Sequence, residues 1–157
     1  MQTEGYIVAF TGHRIYDGSA DVALCDTLHE LYRRGARHFR VGMAEGFDIS
    51  AGEAVVALMS EHEDIILELC IPSVEFARRF DAATRLRYDA IMERATIIRY
   101  SNKGYHPHIY HHRNNMLVDG AHYVVAWWNG SPSGTGYTVA RARKQRTEVI
   151  NLHPCGC

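Results

Sequence analysis

Six short apolar runs, separated throughout by segments with helical patterning, constrain this chain more than any other feature of its sequence. The runs cover residues 6–11, 38–43, 64–71, 96–100, 123–128 and 148–152. "YIVAF" and "YVVAW" are unbroken apolar stretches rather than alternations. That pattern suits strands buried on both faces, as in a parallel sheet. Parallel neighbours need crossovers, and the intervening segments supply them. Leu24, Leu28, Leu31 and Tyr32 recur at i, i+4, i+7 and i+8, with Gly35 as a stop signal. Ala51, Ala54, Val55, Leu58 and Met59 form a second stripe. A long third helix is predicted over residues 74–95, with Phe76, Phe80, Ala83, Leu86 and Ala90 on one side and Ser73 as its N-cap. Shorter, more polar helices are predicted over 109–120 and 136–145. The expected fold class is α/β: a Rossmann-like, doubly wound, mostly parallel six-stranded sheet with helices on both faces. With 157 residues and no repeat, linker or low-complexity stretch, a single domain spanning residues 1–157 is expected.

Composition removes several function classes. A hydrophobic content of 46% and a charged content of 22% are those of an ordinary soluble protein. A formal net charge of −1 supplies no global field for nucleic acid or an anionic membrane, so neither is an expected partner. That does not remove a local basic patch such as Arg33, Arg34, Arg37, His38 and Arg40. No apolar run approaches the roughly 20 residues that span a bilayer. "MQTEGYIVAF" lacks a basic leader region and a cleavage site, so a cytoplasmic location is expected. Cys25 and Cys70 sit in apolar stretches and read as buried thiols, while Cys155 and Cys157 read as part of a frayed terminus.

In open parallel sheets, ligands bind beyond the carboxyl ends of the strands, near the switch in strand order. The first strand is followed by Thr11, Gly12, His13 and Arg14. Gly12 lets a ligand approach the backbone, and Arg14 offers a fork of donors for phosphate or carboxylate. The second strand runs into "GMAEGFD", where Gly42, Met43 and Gly46 would free backbone amides to face an anion. Asp48 stands where a helix N-cap is expected. Glu45, between two glycines, has no obvious local partner. After the fifth strand comes "WWNGSPSGTGYTV", whose Asn129, Gly130, Ser133, Gly134 and Thr135 make the best phosphate cradle in the chain. It is neither a P-loop nor a dinucleotide fingerprint, since no Gly-Lys-Ser/Thr follows and Val139 holds the third glycine position. Trp127 or Trp128 offers a stacking face for a base. His106, His108, His111 and His112 include an i, i+4 pair but no accompanying Glu or Cys in a ligand pattern, so no metal is assigned.

Taken in order, "TGHR", "GMAEGFDISAGEAV", "RNNMLVD" and "WWNGSPSGTGYTV" resemble the YpsA-like, DUF1273-type branch of the SLOG superfamily. That superfamily also groups the LOG-type phosphoribohydrolases and the DprA/Smf DNA-processing proteins. The resemblance implies a Rossmann-like domain that binds a nucleotide or nucleotide derivative such as AMP, ADP-ribose or NAD, with no required cofactor. Gly42, Gly46 and Asp48 would face Ser133, Gly134 and Thr135 across one pocket, over a floor of Thr11, Gly12 and Arg14. Arg113 and Asn114 match the branch's Arg-Asn pair and would reach a sugar or phosphate. Relatives often form dimers, so a homo-oligomer is expected, with the third helix as a candidate contact. LOG enzymes carry a glutamate three residues after the loop threonine, where this chain has Thr138. The first expectation is therefore a sensor or regulatory binding module, with Glu45 at the sugar. The alternative is cleavage of an N-glycosidic bond, with Glu45 and His13 as catalysts. A second alternative is DprA-like binding of single-stranded DNA.

Overall fold

In the computed structural model, which describes residues 5–102 and 108–157, the runs become β1 (Tyr6–Gly12), β2 (Ala36–Val41), β3 (Ile66–Ile71), β4 (Ile97–Tyr100), β5 (Tyr123–Trp127) and β6 (Glu148–Asn151). Between them lie α1 (Asp21–Arg33), α2 (Phe47–Met59), α3 (Ala82–Arg94), α4 (Ile109–Val118) and α5 (Gly134–Lys144). The strands form one sheet in the order β4-β3-β2-β1-β5-β6. Every pairing is parallel.

The order follows from the burial pattern. From β1 the chain steps outward through α1, α2 and α3, which pack in a row on one face. There Leu24, Leu28, Leu31, Val55 and Leu58 close over Phe10, Phe39, Val41, Leu67 and Leu69. After β4, α4 carries the chain back across the other face to β5, beside β1. That second face is built from smaller residues, Ala9, Cys70, Val124 and Ala126, under Leu117, Val118, Val139 and Ala142. Fully burying one Leu or Phe side chain contributes about 2 kcal/mol.

One part of the second face is polar. Glu68 on β3, only 2% exposed, accepts from His38 Nε2 at 2.6 Å, Arg40 Nε at 3.2 Å and Arg99 Nη1 at 2.6 Å. Burial pushes this carboxyl up, but the His38 and Arg99 hydrogen bonds and the Arg40 charge outweigh it and hold the pKa at about 2. Arg40 also donates to the carbonyls of Leu117 at 3.2 Å and Asp119 at 2.7 Å, satisfying acceptors that the end of α4 leaves open. The network therefore ties α4 to the sheet.

Several expectations are corrected. Residues 74–79 are successive turns, not helix, with Phe76 N–H donating to Ser73 O and Arg78 N–H to Glu75 O. The helix starts only where Asp81 accepts from Thr84 N–H at 2.8 Å, so Asp81 is the cap and Ser73 is not. The face of α3 that packs inward carries Tyr88 and Ile91, and Leu86 is exposed. Cys25 is also exposed, because it stands one position round α1 from the inward stripe of Leu24, Leu28 and Leu31. Cys70 is buried as expected. At the tail, which is exposed, Cys155 and Cys157 are paired as a disulfide, and Arg143 donates to Cys157 O at 2.9 Å. The basic patch is dispersed into internal pairs, Arg33 and Arg34 with Glu30, Arg37 with Asp64, and His38 and Arg40 with Glu68. Among the described residues, no helix is long and apolar enough to cross a membrane.

Candidate functional site at the switch point

β1 and β5 are neighbours, yet the chain leaves β1 toward one face of the sheet and β5 toward the other. A crevice opens between their carboxyl ends, and it holds a cavity of about 340 Å³. Its floor is Thr11, Gly12, His13 and Arg14 from the end of β1. Ala44 and Asp48 enter from the start of α2, and Ser133, Gly134 and Thr135 from the start of α5. The fourth wall is one face of α4: Tyr110, Arg113, Asn114 and Leu117.

The start of α2 is shaped by Gly46, which is the N-cap residue with φ +84°. A Cβ there would sit 2.7 Å from the His13 carbonyl oxygen and closer still to the Arg14 backbone, so only glycine fits. Phe47 N–H donates to that same His13 carbonyl at 3.2 Å, pinning α2 against the β1 loop. Asp48 is thus in the first turn of the helix and not its cap. Its Oδ2 accepts from Ala44 N–H at 3.2 Å, while Oδ1 is buried with no hydrogen-bond partner. Asp48 is 4% exposed, and burial raises its pKa to about 6 against the opposing pull of the Arg113 charge, the Ala44 amide and Arg14.

Arg113 is equally enclosed. It donates from Nη1 to Gly42 O at 2.5 Å and from Nε to Asn114 Oδ1 at 2.9 Å. Burial lowers its pKa, and the Asp48 charge works in the other direction. Gly42 lies between the two charges: a Cβ on it would stand 3.0 Å from both Arg113 Nη1 and Asp48 Oδ2. At the facing helix start, Ser133 Oγ caps α5 by accepting from Gly136 N–H at 3.0 Å. Thr138 spends its hydroxyl on Gly134 O at 3.1 Å and is buried, so it presents no group to the cavity.

Most residues expected at the site meet there, but with altered parts. Gly42 and Gly46 back the cavity rather than line it, and Met43 is fully buried at φ +64°. His13 Nε2 accepts from Asn129 N–H at 3.0 Å, and burial lowers its pKa, so the neutral ring braces the two loops. Asn129 Oδ1 in turn accepts from Ser131 N–H at 3.0 Å, and Gly130 faces the tail at Cys157. Neither tryptophan lines the cavity. Trp127 packs between Tyr16 and His153, and Trp128 Nε1 donates to Ser131 O at 2.8 Å. Glu45 lines a separate, adjoining groove. His106 lies outside the described residues. His111 stacks on Tyr137 at 4.5 Å, and among the described residues no group of three His, Cys, Asp or Glu side chains is placed to hold a metal.

Tyr110, Ala44 and Leu117 were not expected here. For two of them a signal existed: positions 110, 113, 114 and 117 stand at i, i+3, i+4 and i+7 and so share a helix face.

The fold and crevice together define a Rossmann-like α/β protein with a polar pocket at its topological switch point. The family model for YpsA, described as the YspA SLOG family, matches residues 20–152, and the chain belongs to that family. No curated protein sequence matches it at a significant level. Among solved structures it is similar to DNA processing protein A from Helicobacter pylori, described for its single-stranded DNA binding mode, with a TM-score of 0.66 and 18% identity over 93% of this chain and 64% of that one. It is also similar to DNA processing protein A from Streptococcus pneumoniae, with a TM-score of 0.65 and 14% identity over 92% of this chain and 49% of that one. The chain thus spans less than two thirds of either protein, and at these identities the likeness is one of fold.

Proposed function

We propose that the switch-point cavity binds a nucleotide or nucleotide derivative and that the protein acts as a sensor or regulatory module. One observation carries this reading. Of the seven buried polar or charged residues among those described, five (Thr11, Asp48, Arg113, Asn114 and Thr135) line this one cavity. Buried polar groups are costly unless satisfied, and here Asp48 Oδ1 still lacks a partner. The amides at the start of α5 and the Arg14 guanidinium suit a phosphate. Asp48, repelled by a phosphate, belongs to the sugar end.

The test is thermal unfolding of the full chain against AMP, ADP-ribose and NAD, with base release followed in the same samples. Ligand at 100 times its Kd adds about 2.7 kcal/mol, which is several degrees in Tm for a chain of this size. A Cβ at Gly134 meets nothing nearer than Asn114 Nδ2 at 3.9 Å, so Gly134→Ala leaves the fold intact. Gly134→Glu puts a carboxylate into the proposed phosphate seat and is expected to weaken binding at least tenfold. Unchanged binding in Gly134→Glu overturns the placement. Free base released by the wild type and lost in Glu45→Gln would support N-glycosidic cleavage instead.

The likeness to the Helicobacter pylori protein favours a second reading, binding of single-stranded DNA, and weighs against excluding nucleic acid from the net charge alone. A labelled oligodeoxynucleotide that binds at 150 mM salt and is displaced by AMP would place both ligands at one site.

A further inference from the structure

The switch-point cavity is not isolated. Arg14 and Tyr110 line it and also line a second, larger groove of about 620 Å³. This groove lies over the turns of residues 72–80 and carries Glu45, Phe76, Phe80, Arg78 and Arg79 on its walls. Each space lies within the range of small-molecule sites. We propose that the groove is a second nucleoside subsite, so that the ligand is a dinucleotide whose bridging phosphates lie beside Arg14.

The inference rests on the reading of the switch-point cavity as the first subsite, and the groove's own chemistry carries it further. Its aromatic wall is continuous: Phe76 stands 5.7 Å from Phe80 and 6.1 Å from Tyr110, centroid to centroid. Such a wall gives a base an apolar face to lie on. Arg14, at the junction, lies 5.8 Å over the Tyr110 ring and has no ion-pair partner among the described residues. Its position serves a phosphate shared by the two halves. Arg79 also has no ion pair among the described residues, and Arg78 is only loosely held by Glu75 at 3.3 Å, both being exposed at the rim. A groove built only for polyphosphate would exclude carboxylates, yet Glu45 and Glu75 line it, and among the described residues only Glu75 of the two has an ion pair, with Arg78. A carboxylate there accepts hydrogen bonds and donates none, which matches the hydroxyls of a ribose. This answers why an acid stands between Gly42 and Gly46: it reads the sugar of the second unit, across Arg14 from the first.

The turns explain why the groove exists. Had residues 74–81 continued as helix, Phe76, Arg79 and Phe80 would share one stripe at i, i+3 and i+4. With the helix starting only at Asp81, these residues line the groove from the turns, Phe76 and Phe80 still in edge contact at 5.7 Å.

The experiment is calorimetric titration of the full chain with AMP, with diadenosine diphosphate and with a short oligodeoxyadenylate. Diadenosine diphosphate is expected to bind at least tenfold more tightly than AMP. Phe80→Ala, in the wall on which the second base lies and outside the first cavity, is expected to remove that gain while leaving AMP affinity unchanged. Glu45→Ala is expected to abolish the preference for the ribose over the 2′,3′-dideoxy form of the second unit. If AMP binds and diadenosine diphosphate binds no better, the second subsite is overturned and the first cavity's assignment stands. If neither binds at millimolar concentration, both fail. An oligodeoxyadenylate that outcompetes diadenosine diphosphate assigns the groove to a DNA strand and overturns the dinucleotide.

Discussion

Asp48 is the residue on which site chemistry and stability meet. A carboxyl whose pKa rises on folding from its usual value near 4 to about 6 binds its proton more tightly in the native state. Its contribution to stability is therefore fully present below pH 4 and is lost as pH rises through about 6, the opposite sign to a paired surface carboxylate. At pH 7 the ionised form costs about 3 kcal/mol relative to a neutral side chain in the same place. Asp48→Asn keeps an acceptor for the Ala44 amide and cannot ionise. It is expected to be more stable than the wild type at pH 7, with the difference shrinking toward pH 4, in urea unfolding followed at several pH values. A gap that stays constant with pH would show that Asp48 titrates normally. Glu68 has the reverse character: held at about 2, it contributes stability above pH 4.5 that is lost as the pH falls through 2. Two carboxylates, both nearly buried, are thus set apart by their partners. Glu68 has His38, Arg40 and Arg99 in contact, whereas Asp48 keeps one oxygen without a partner.

At the scale of elements, the site is an assembly of helix starts held by single contacts. Gly46 is the tightest of these. Gly46→Ala would impose φ +84° on an alanine and drive its methyl into the backbone of His13 and Arg14. A loss of at least about 2 kcal/mol is expected in denaturant unfolding, together with weaker nucleotide binding, because α2 can no longer dock against the β1 loop. Wild-type stability in this variant would show that the loop has room to move. The same position shows where sequence reading ends. The strands were legible because runs such as "YVVAW" are short, rich in β-branched and aromatic residues and bounded by turn residues, as strands buried on both faces are. The order of glycine loops around the cavity was legible for the same reason, since they follow strands. Asp48 reads as a cap from sequence, but the positive-φ turn at Gly46 starts the helix two residues earlier, and composition alone does not reveal φ. The third helix was drawn too long because aromatic spacing at Phe76 and Phe80 imitates a helix, while the break depends on the Asp81 side chain capturing a particular amide. Tyr110 and Leu117 were legible in principle, through their spacing to Arg113, but only once α4 was known to cross the mouth of the sheet.

For the molecule as a whole, charge decides how it can meet a polyanion. The net charge is −1, and the basic cluster of residues 33–40 is paired with carboxylates of the same chain, which leaves Arg143, Lys144 and Arg146 at the end of α5 as exposed cations without an ion pair among the described residues. The cationic side chains open to a ligand at the groove are Arg14, Arg78 and Arg79. A single strand lying there can therefore neutralise about three phosphates, for a slope of log K against log salt of about −2. Affinity should fall by only about 20-fold between 50 and 200 mM NaCl, in anisotropy measurements with a labelled oligodeoxynucleotide. AMP, if its phosphate sits at the α5 start and Arg14 as proposed, should show a weaker dependence still. A slope several times steeper would mean that many more cations are engaged than the groove contains. Strand binding would then have to extend beyond the groove, to cations such as Arg143, Lys144 and Arg146 at the end of α5 or to a second copy of the chain.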